Sequence, residues 1–326
     1  MSFPIVKELT QFEEKSDLYI CALGFEDRCL GSNKKLGEMG FRTKSSFILR
    51  YNVYTSENEA SLNIFQETVK NFSDGFSFIP YEAGKTRTDF YSQFQKAIKN
   101  LGFKPENIVV NITGMTNHAL IILVDYALEN SIKTSIIYTE PSTYGTQLKS
   151  SSFTSGVEDI FTLPKFSGAT LPSYVTLLIM TMGYDLTRPR GIISEIQPTE
   201  KIGVMTSPNL EVMNEHFNNI KKEHERLFSK ENITVLSIFD YRKAIEFFEE
   251  TRRKFVEEYN IIVALNGSKL LAVAVLLFLK KYPDIQLILS TPSKYHPDRY
   301  SKGVGRTFIT EIEKSWVEQF LKNNSS

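Results

Sequence analysis

Short apolar runs alternate with longer stretches of helical spacing along the first half of this chain. Residues 17–23, 46–51, 76–80, 108–112 and 134–139 have strand length and an apolar, partly β-branched character. The segments between them, 33–39, 57–71, 89–101 and 117–130, read as helices, and the second places Ala60, Ile64, Phe65 and Val69 on one face. Strands alternating with helices in this way predict a parallel sheet.

The second half repeats the plan, with strands over 175–182, 201–205, 234–239, 261–265 and 285–290 and helices over 189–196, 210–228, 244–259 and 270–281. Short motifs recur with it. Gly24-Phe25-Glu26-Asp27-Arg28 is echoed by Gly183-Tyr184-Asp185-Leu186-Thr187-Arg188, Asn111-Ile112-Thr113-Gly114 by Ala264-Leu265-Asn266-Gly267, and Thr139-Glu140-Pro141 by Ser290-Thr291-Pro292. The offset between copies drifts only from 159 at Gly24/Gly183 to 151 at Pro141/Pro292. The fold class expected is therefore α/β: two tandem Rossmann-like parallel-sheet domains related by internal duplication, over residues 1–165 and 170–326. The boundary falls in 150–173, where a strand around 159–163 is a candidate addition to the first domain. An amphipathic helix over 308–321, with Ile309, Ile312, Trp316, Phe320 and Leu321, closes the second domain or reaches across to the first.

Composition narrows the setting without naming a ligand. Lys+Arg and Asp+Glu number 38 each, so no overall field favours nucleic acid or a membrane surface. The longest apolar stretch, 270–279, is about half a membrane span, and the N-terminus has no signal-like core. With two cysteines, Cys21 and Cys29, and four scattered histidines, a reducing cytoplasm is expected and no metal or cofactor is called for.

All of the echoed motifs follow strands, where a parallel sheet places its ligand loops and helix N-termini. In the first, Gly24 and Gly183 permit a turn, Phe25 and Tyr184 stack or plug, Asp185 accepts hydrogen bonds, and Arg28 supplies charge. In the second, Asn111, Thr113, Gly114, Thr116 and Asn117, with Asn266, Gly267, Ser268 and Lys269 opposite, offer backbone N–H groups and short polar side chains to an anion. A simple helix cap has the same look, and the full phosphate-loop pattern is absent. Past the third motif, Lys294, His296, Arg299, Lys302 and Arg306 form a basic stretch, with Tyr295 and Tyr300 placed for base stacking. Lys85 and Arg87 add positive charge after the third strand. Glu26, Asp27 and Glu140 are the candidate acid–base groups, since paired carboxylates divide those roles when burial separates their pKa values.

Asn111-Ile112-Thr113-Gly114-Met115-Thr116 resembles the strand-to-helix motif of CRISPR-associated Rossmann-fold (CARF-like) sensor domains, with Met115 where that motif has a second glycine. The resemblance implies paired domains, a cyclic oligoadenylate lying across their two-fold axis, and residues 24–28 and 113–116 with their second-half counterparts facing it. No nuclease signature is appended.

Nucleotide or cyclic oligonucleotide recognition in a bacterial-type defence or signalling system leads these expectations. A nucleotide- or nucleoside-processing hydrolase, including one that cleaves a cyclic signal, is the alternative, and a protein-interaction scaffold of a defence complex is the third. The expected partners are the ligand, an effector protein and a second copy of the chain, with no membrane. Acidic Glu26, Asp27 and Glu140 in one half and cationic Lys269, Lys294, Arg299 and Arg306 in the other predict an asymmetric cleft.

Overall fold

The computed structural model describes residues 2–51, 55–82, 87–144, 154–208, 211–296 and 301–323, without the side chains of 55–60, 87–89, 144 and 212. Two compact units divide the chain. One comprises Met1–Gly145 and Tyr300–Ser326, the other Thr146–Arg299.

The first unit opens with β1 (Lys7–Glu8), β2 (Lys15–Leu23), α1 (Asp27–Glu38), β3 (Arg42–Tyr51), α2 (Thr55–Lys70), β4 (Phe76–Tyr81) and α3 (Arg87–Lys99). It continues through β5 (Asn107–Asn111), α4 (Asn117–Asn130), β6 (Lys133–Thr139) and β7 (Thr143–Tyr144). The second contains β8 (Thr154–Ser155), β9 (Asp159–Thr162), β10 (Val175–Met182), α5 (Thr187–Ile196), β11 (Glu200–Thr206), α6 (Asn214–Phe228) and β12 (Ile233–Leu236). It ends with α7 (Tyr241–Phe255), β13 (Tyr259–Leu265), α8 (Lys269–Lys281), β14 (Gln286–Thr291) and β15 (Lys294–Tyr295). The chain then returns to the first unit as β16 (Ser301–Lys302), β17 (Thr307–Glu313) and α9 (Lys314–Lys322).

Both large sheets are α/β sheets of the same plan. The first runs β1-β17-β6-β5-β2-β3-β4, the second β9-β14-β13-β10-β11-β12. In each, five strands are parallel, and the sixth, β17 or β9, is antiparallel to the fifth. That sixth strand comes from the segment following the other half's fifth strand. Register pins both additions: Thr307 faces Thr139 and Glu313 faces Lys133 on one, while Thr162 faces Ile288 and Asp159 faces Thr291 on the other.

Three sequence expectations change here. The division at 165/170 gives way to units whose last strands are exchanged along the chain. The strand near 159–163 joins the second sheet through β14 instead of the first. Helix 308–321 is half strand: β17 occupies Thr307–Glu313, and only Lys314–Lys322 is helical. The side chains of Thr307 to Thr310 and of Ile312 are buried, so this strand is covered on both faces and shows no clean alternation.

Apolar faces build the cores. In the first unit Tyr19, Phe41 and Phe72 pack as a triangle with each pair of ring centroids 5.4 Å apart. In the second, Leu178, Met180 and Met182 of β10 meet Phe217 and Phe228 of α6. The run 270–279 of α8 is buried at all ten positions, so that helix is covered round its whole circumference, as its unbroken apolar sequence requires. Among the described residues no helix is long and apolar enough to cross a membrane.

Candidate functional site

In each sheet the chain runs outward from its first long strand, then crosses back to place the fourth on the other side. The order reverses between β2 and β5 in one unit and between β10 and β13 in the other. At such switch points the loops after adjacent strands diverge and open a crevice at the carboxyl edge. The glycine motifs follow these four strands: Gly24 after β2, Gly114 after β5, Gly183 after β10 and Gly267 after β13.

In the first unit the loop after β5 is tied down from beneath. Asn111 accepts from Thr113 N at 3.2 Å and donates through Nδ2 to Tyr19 Oη and Ser32 Oγ, both at 2.8 Å. Thr113 Oγ1 accepts the Thr139 amide at 2.9 Å, joining the loop to the end of β6. Gly114 has φ +77°, and a Cβ there would overlap Cys29 Sγ, so both backbone conformation and space require glycine. Thr116 caps α4 by accepting from Ala119 N. Tyr51 Oη accepts from Thr116 N at 3.1 Å and lies 3.2 Å from Gly114 O, to which it donates. Thr116 Oγ1 donates to Tyr81 Oη, which lies 2.9 Å from His118 Nδ1. Asn117 opens the helix at intermediate burial. Cys21, buried within β2, has its thiol pushed well above the ordinary cysteine value by burial and by the neighbouring Cys29.

Each candidate carboxylate of this unit has a partner. Glu26, 8% exposed, takes a two-point contact from Arg28, Nε at 2.9 Å and Nη2 at 3.0 Å. It also accepts from Ser301 Oγ of β16. Arg28 reaches on to Tyr138 Oη and the Thr139 carbonyl. Asp27 accepts from Gly303 N at 2.9 Å, and Glu140 accepts from Arg306 Nε at 2.6 Å. Phe25 and Gly24 are partly buried in the same loop.

The second unit repeats this fastening with different residues. Asp185, 3% exposed, accepts from Thr187 N at 2.8 Å and Oγ1 at 2.9 Å, from Arg188 Nε, and from Thr154 Oγ1 of β8. Burial alone would raise its pKa. The Arg188 charge and these hydrogen bonds outweigh that and hold it below the ordinary aspartate value. Carboxylate, guanidinium and hydroxyl thus recur as a set: Glu26–Arg28–Ser301 in one unit, Asp185–Arg188–Thr154 in the other.

The hydroxyls arrive on a motif that sequence inspection missed. Thr154-Ser155-Gly156-Val157 matches Ser301-Lys302-Gly303-Val304, just as Pro141-Ser142-Thr143-Tyr144 matches Pro292-Ser293-Lys294-Tyr295. In each unit one strand of each kind pairs, β16 with β7 and β15 with β8. Val304 packs where Gly31 lacks a side chain, and Val157 where Gly191 does; a Cβ at either glycine would overlap the valine.

Around the second unit's loops, several buried polar atoms have no partner. Asn266, 5% exposed, accepts from Ser290 Oγ at 2.9 Å, but its Nδ2 is buried without a bond. Thr291 Oγ1 is in the same state. His224 donates Nε2 to Gly183 O at 3.0 Å, leaving Nδ1 buried and bare, and burial holds its pKa below the ordinary histidine value. Tyr184 stacks on His216 at 5.1 Å, whose Nε2 is also unpartnered. Thr181 Oγ1 accepts the amides of Asn266 and Gly267, each at 3.1 Å, and Ser268 stands at the N-cap of α8 without bonding a helix amide. Lys269 is the first residue of that helix.

The basic stretch does not assemble in one unit. Lys294 is exposed on β15, and His296 Nε2 lies 3.1 Å from Ser155 Oγ in the second unit. Lys302 and Arg306 belong to the first, because the chain has already returned there. Arg299, Lys85 and Tyr300 lie outside the described residues, as does the Arg87 side chain. Among the described residues no group of three His, Cys, Asp or Glu side chains is gathered to hold a metal ion.

No family model matches the chain, and no curated protein does. Three solved structures align over most of its length. A functionally unknown protein, PA1789 from Pseudomonas aeruginosa PAO1, is 9% identical with a TM-score of 0.25, over 94% of this chain and 96% of that one. A putative universal stress protein from Pseudomonas aeruginosa UCBPP-PA14 is 9% identical with a TM-score of 0.25, over 95% and 98%. The cytoplasmic domain of a prokaryotic cation chloride cotransporter is 10% identical with a TM-score of 0.28, over 88% and 98%. At 9–10% identity and TM-scores of 0.25–0.28, none of the three bears on what this chain does.

Proposed function

We propose that this protein binds a nucleotide at the carboxyl edge of its parallel strands. One observation carries the reading: the repeated glycine loops follow the two strands that flank the switch point in each sheet, where helix N-termini and backbone amides converge. The likeness of 111–116 to the CARF-like motif extends the proposal to a cyclic oligonucleotide, with a role in defence or signalling. Recognition without turnover is favoured over hydrolysis. Glu26 and Glu140 are each engaged by an arginine and Asp27 by a backbone amide, so none stands ready as a general base.

Native mass spectrometry of freshly purified protein, followed by thermal shifts with AMP, ATP and cyclic oligoadenylates, tests this. Binding at 100 times Kd adds about 2.7 kcal/mol, enough to raise Tm by several degrees. A ligand recovered unchanged supports recognition, whereas a flat response across the panel refutes it and recovery of a cleaved ligand restores the hydrolase.

A further inference from the structure

The two switch points carry the same motifs but are finished differently. In the first unit, the protein's own hydroxyls occupy the mouth of α4. Tyr51 Oη bonds both Thr116 N and Gly114 O, and Thr116 Oγ1 lies between Ala119 N and Tyr81 Oη. Two of the amides that an anion would use are satisfied internally.

The second unit lacks the corresponding side-chain closure at α8 among the described residues. Ser268 caps none of its amides. Asn266, in the turn that opens the helix, is 5% exposed; Ser290 tethers its Oδ1 and leaves Nδ2 unpartnered on the other edge of the amide. Thr291 Oγ1 and His224 Nδ1 are further orphans near the carboxyl ends of this sheet or on the helix bonded to its first loop. In the first unit the orphaned atoms lie elsewhere among the described residues: Ser16 at the start of β2 and Thr310 within β17. A buried donor without an acceptor is costly, and a phosphate oxygen at a helix N-terminus satisfies the Asn266 amide and the Thr291 hydroxyl; His224 Nδ1, whose ring donates through Nε2, is an acceptor and needs a donor instead.

We infer that only the second unit takes the ligand's phosphate, at Asn266, Ser268 and the N-terminus of α8 with Lys269 beside it, while the first site is closed by Tyr51 and Tyr81. This inference rests on the nucleotide reading. It gives the chain one phosphate site where the repeated sequence suggests two.

Isothermal titration of the full chain with AMP, ATP and cyclic tetraadenylate tests it. The expected result is one ligand per chain, at least about tenfold weaker in Asn266→Ala and Lys269→Glu, with affinity unchanged in Tyr51→Phe. Lys269 is only partly buried, so its variant keeps the test valid if Asn266→Ala fails to fold. Any other ratio, or a loss of binding in Tyr51→Phe with Lys269→Glu intact, overturns the inference and leaves the nucleotide reading standing. Binding of none of the three overturns both.

Discussion

Glu26 and Asp185 show how much a residue's meaning depends on partners far away in sequence. Recurrence after the first strand of each half marks both as special, but Ser301 lies 275 positions from Glu26 and belongs to a strand that the hydrophobic pattern disguises. The acid–base role expected of Glu26 gives way to a fastening between the loop and β16. Glu26→Gln removes the buried carboxylate that Arg28 grips at two points, so a loss of about 3–5 kcal/mol is expected in urea unfolding; a change under about 1 kcal/mol would mean that the pair is incidental. His224 sets a pH dependence. Its folded pKa is depressed below 6.5, so below that value the unfolded chain binds the proton more readily, and stability falls as pH drops from 6.5 toward the folded value. Asp185, depressed below 3.8, contributes stability that is complete above that pH and lost beneath it. His216, also depressed by burial, acts in the same direction, so urea midpoints should decline as pH drops through about 6.5, His224→Gln should flatten part of that decline and His224→Gln with His216→Gln most of it.

At the scale of elements, the strands and helices of both sheets were legible because buried parallel strands are apolar runs and their helices keep a 3.6-residue period. Helix α4 falls where the pattern puts it, at Asn117–Asn130. β17 was hidden because Ile309, Ile312, Trp316 and Phe320 happen to share a helical spacing, while Thr307, Ile309, Thr310 and Ile312 supply the β-branched side chains that a covered strand uses. Pairing, too, is invisible to periodicity: nothing in 159–162 or 307–313 says which fifth strand each will join. The exchange has a direct consequence. If a protease site is inserted within 145–153 and cut, the C-terminal fragment should stay bound to the N-terminal one in size-exclusion chromatography, because β17 remains paired with β6 from Thr307↔Thr139 to Glu313↔Lys133. Separation of the fragments without denaturant would show that this pairing does not hold the sheet together.

For the whole molecule, strand order, motifs and fastenings match between the two halves. The halves differ at the helix mouths behind their second glycine motifs. Tyrosine hydroxyls close one helix mouth; at the other Ser268 makes no capping bond and Asn266 Nδ2 is buried without a partner. Charge counts pointed toward asymmetry by assigning Arg306 to the second half, yet Arg306 is bound to Glu140 in the first unit; the asymmetry resides instead in hydrogen bonds that no residue count reveals. Hydrogen exchange measured by mass spectrometry, with and without whichever of AMP, ATP or cyclic oligoadenylate binds, locates the ligand most directly. Protection concentrated in residues 183–188 and 264–271 is the expected result; protection confined to other segments, or none at saturating nucleotide, would contradict a ligand site at the carboxyl edge of the second sheet.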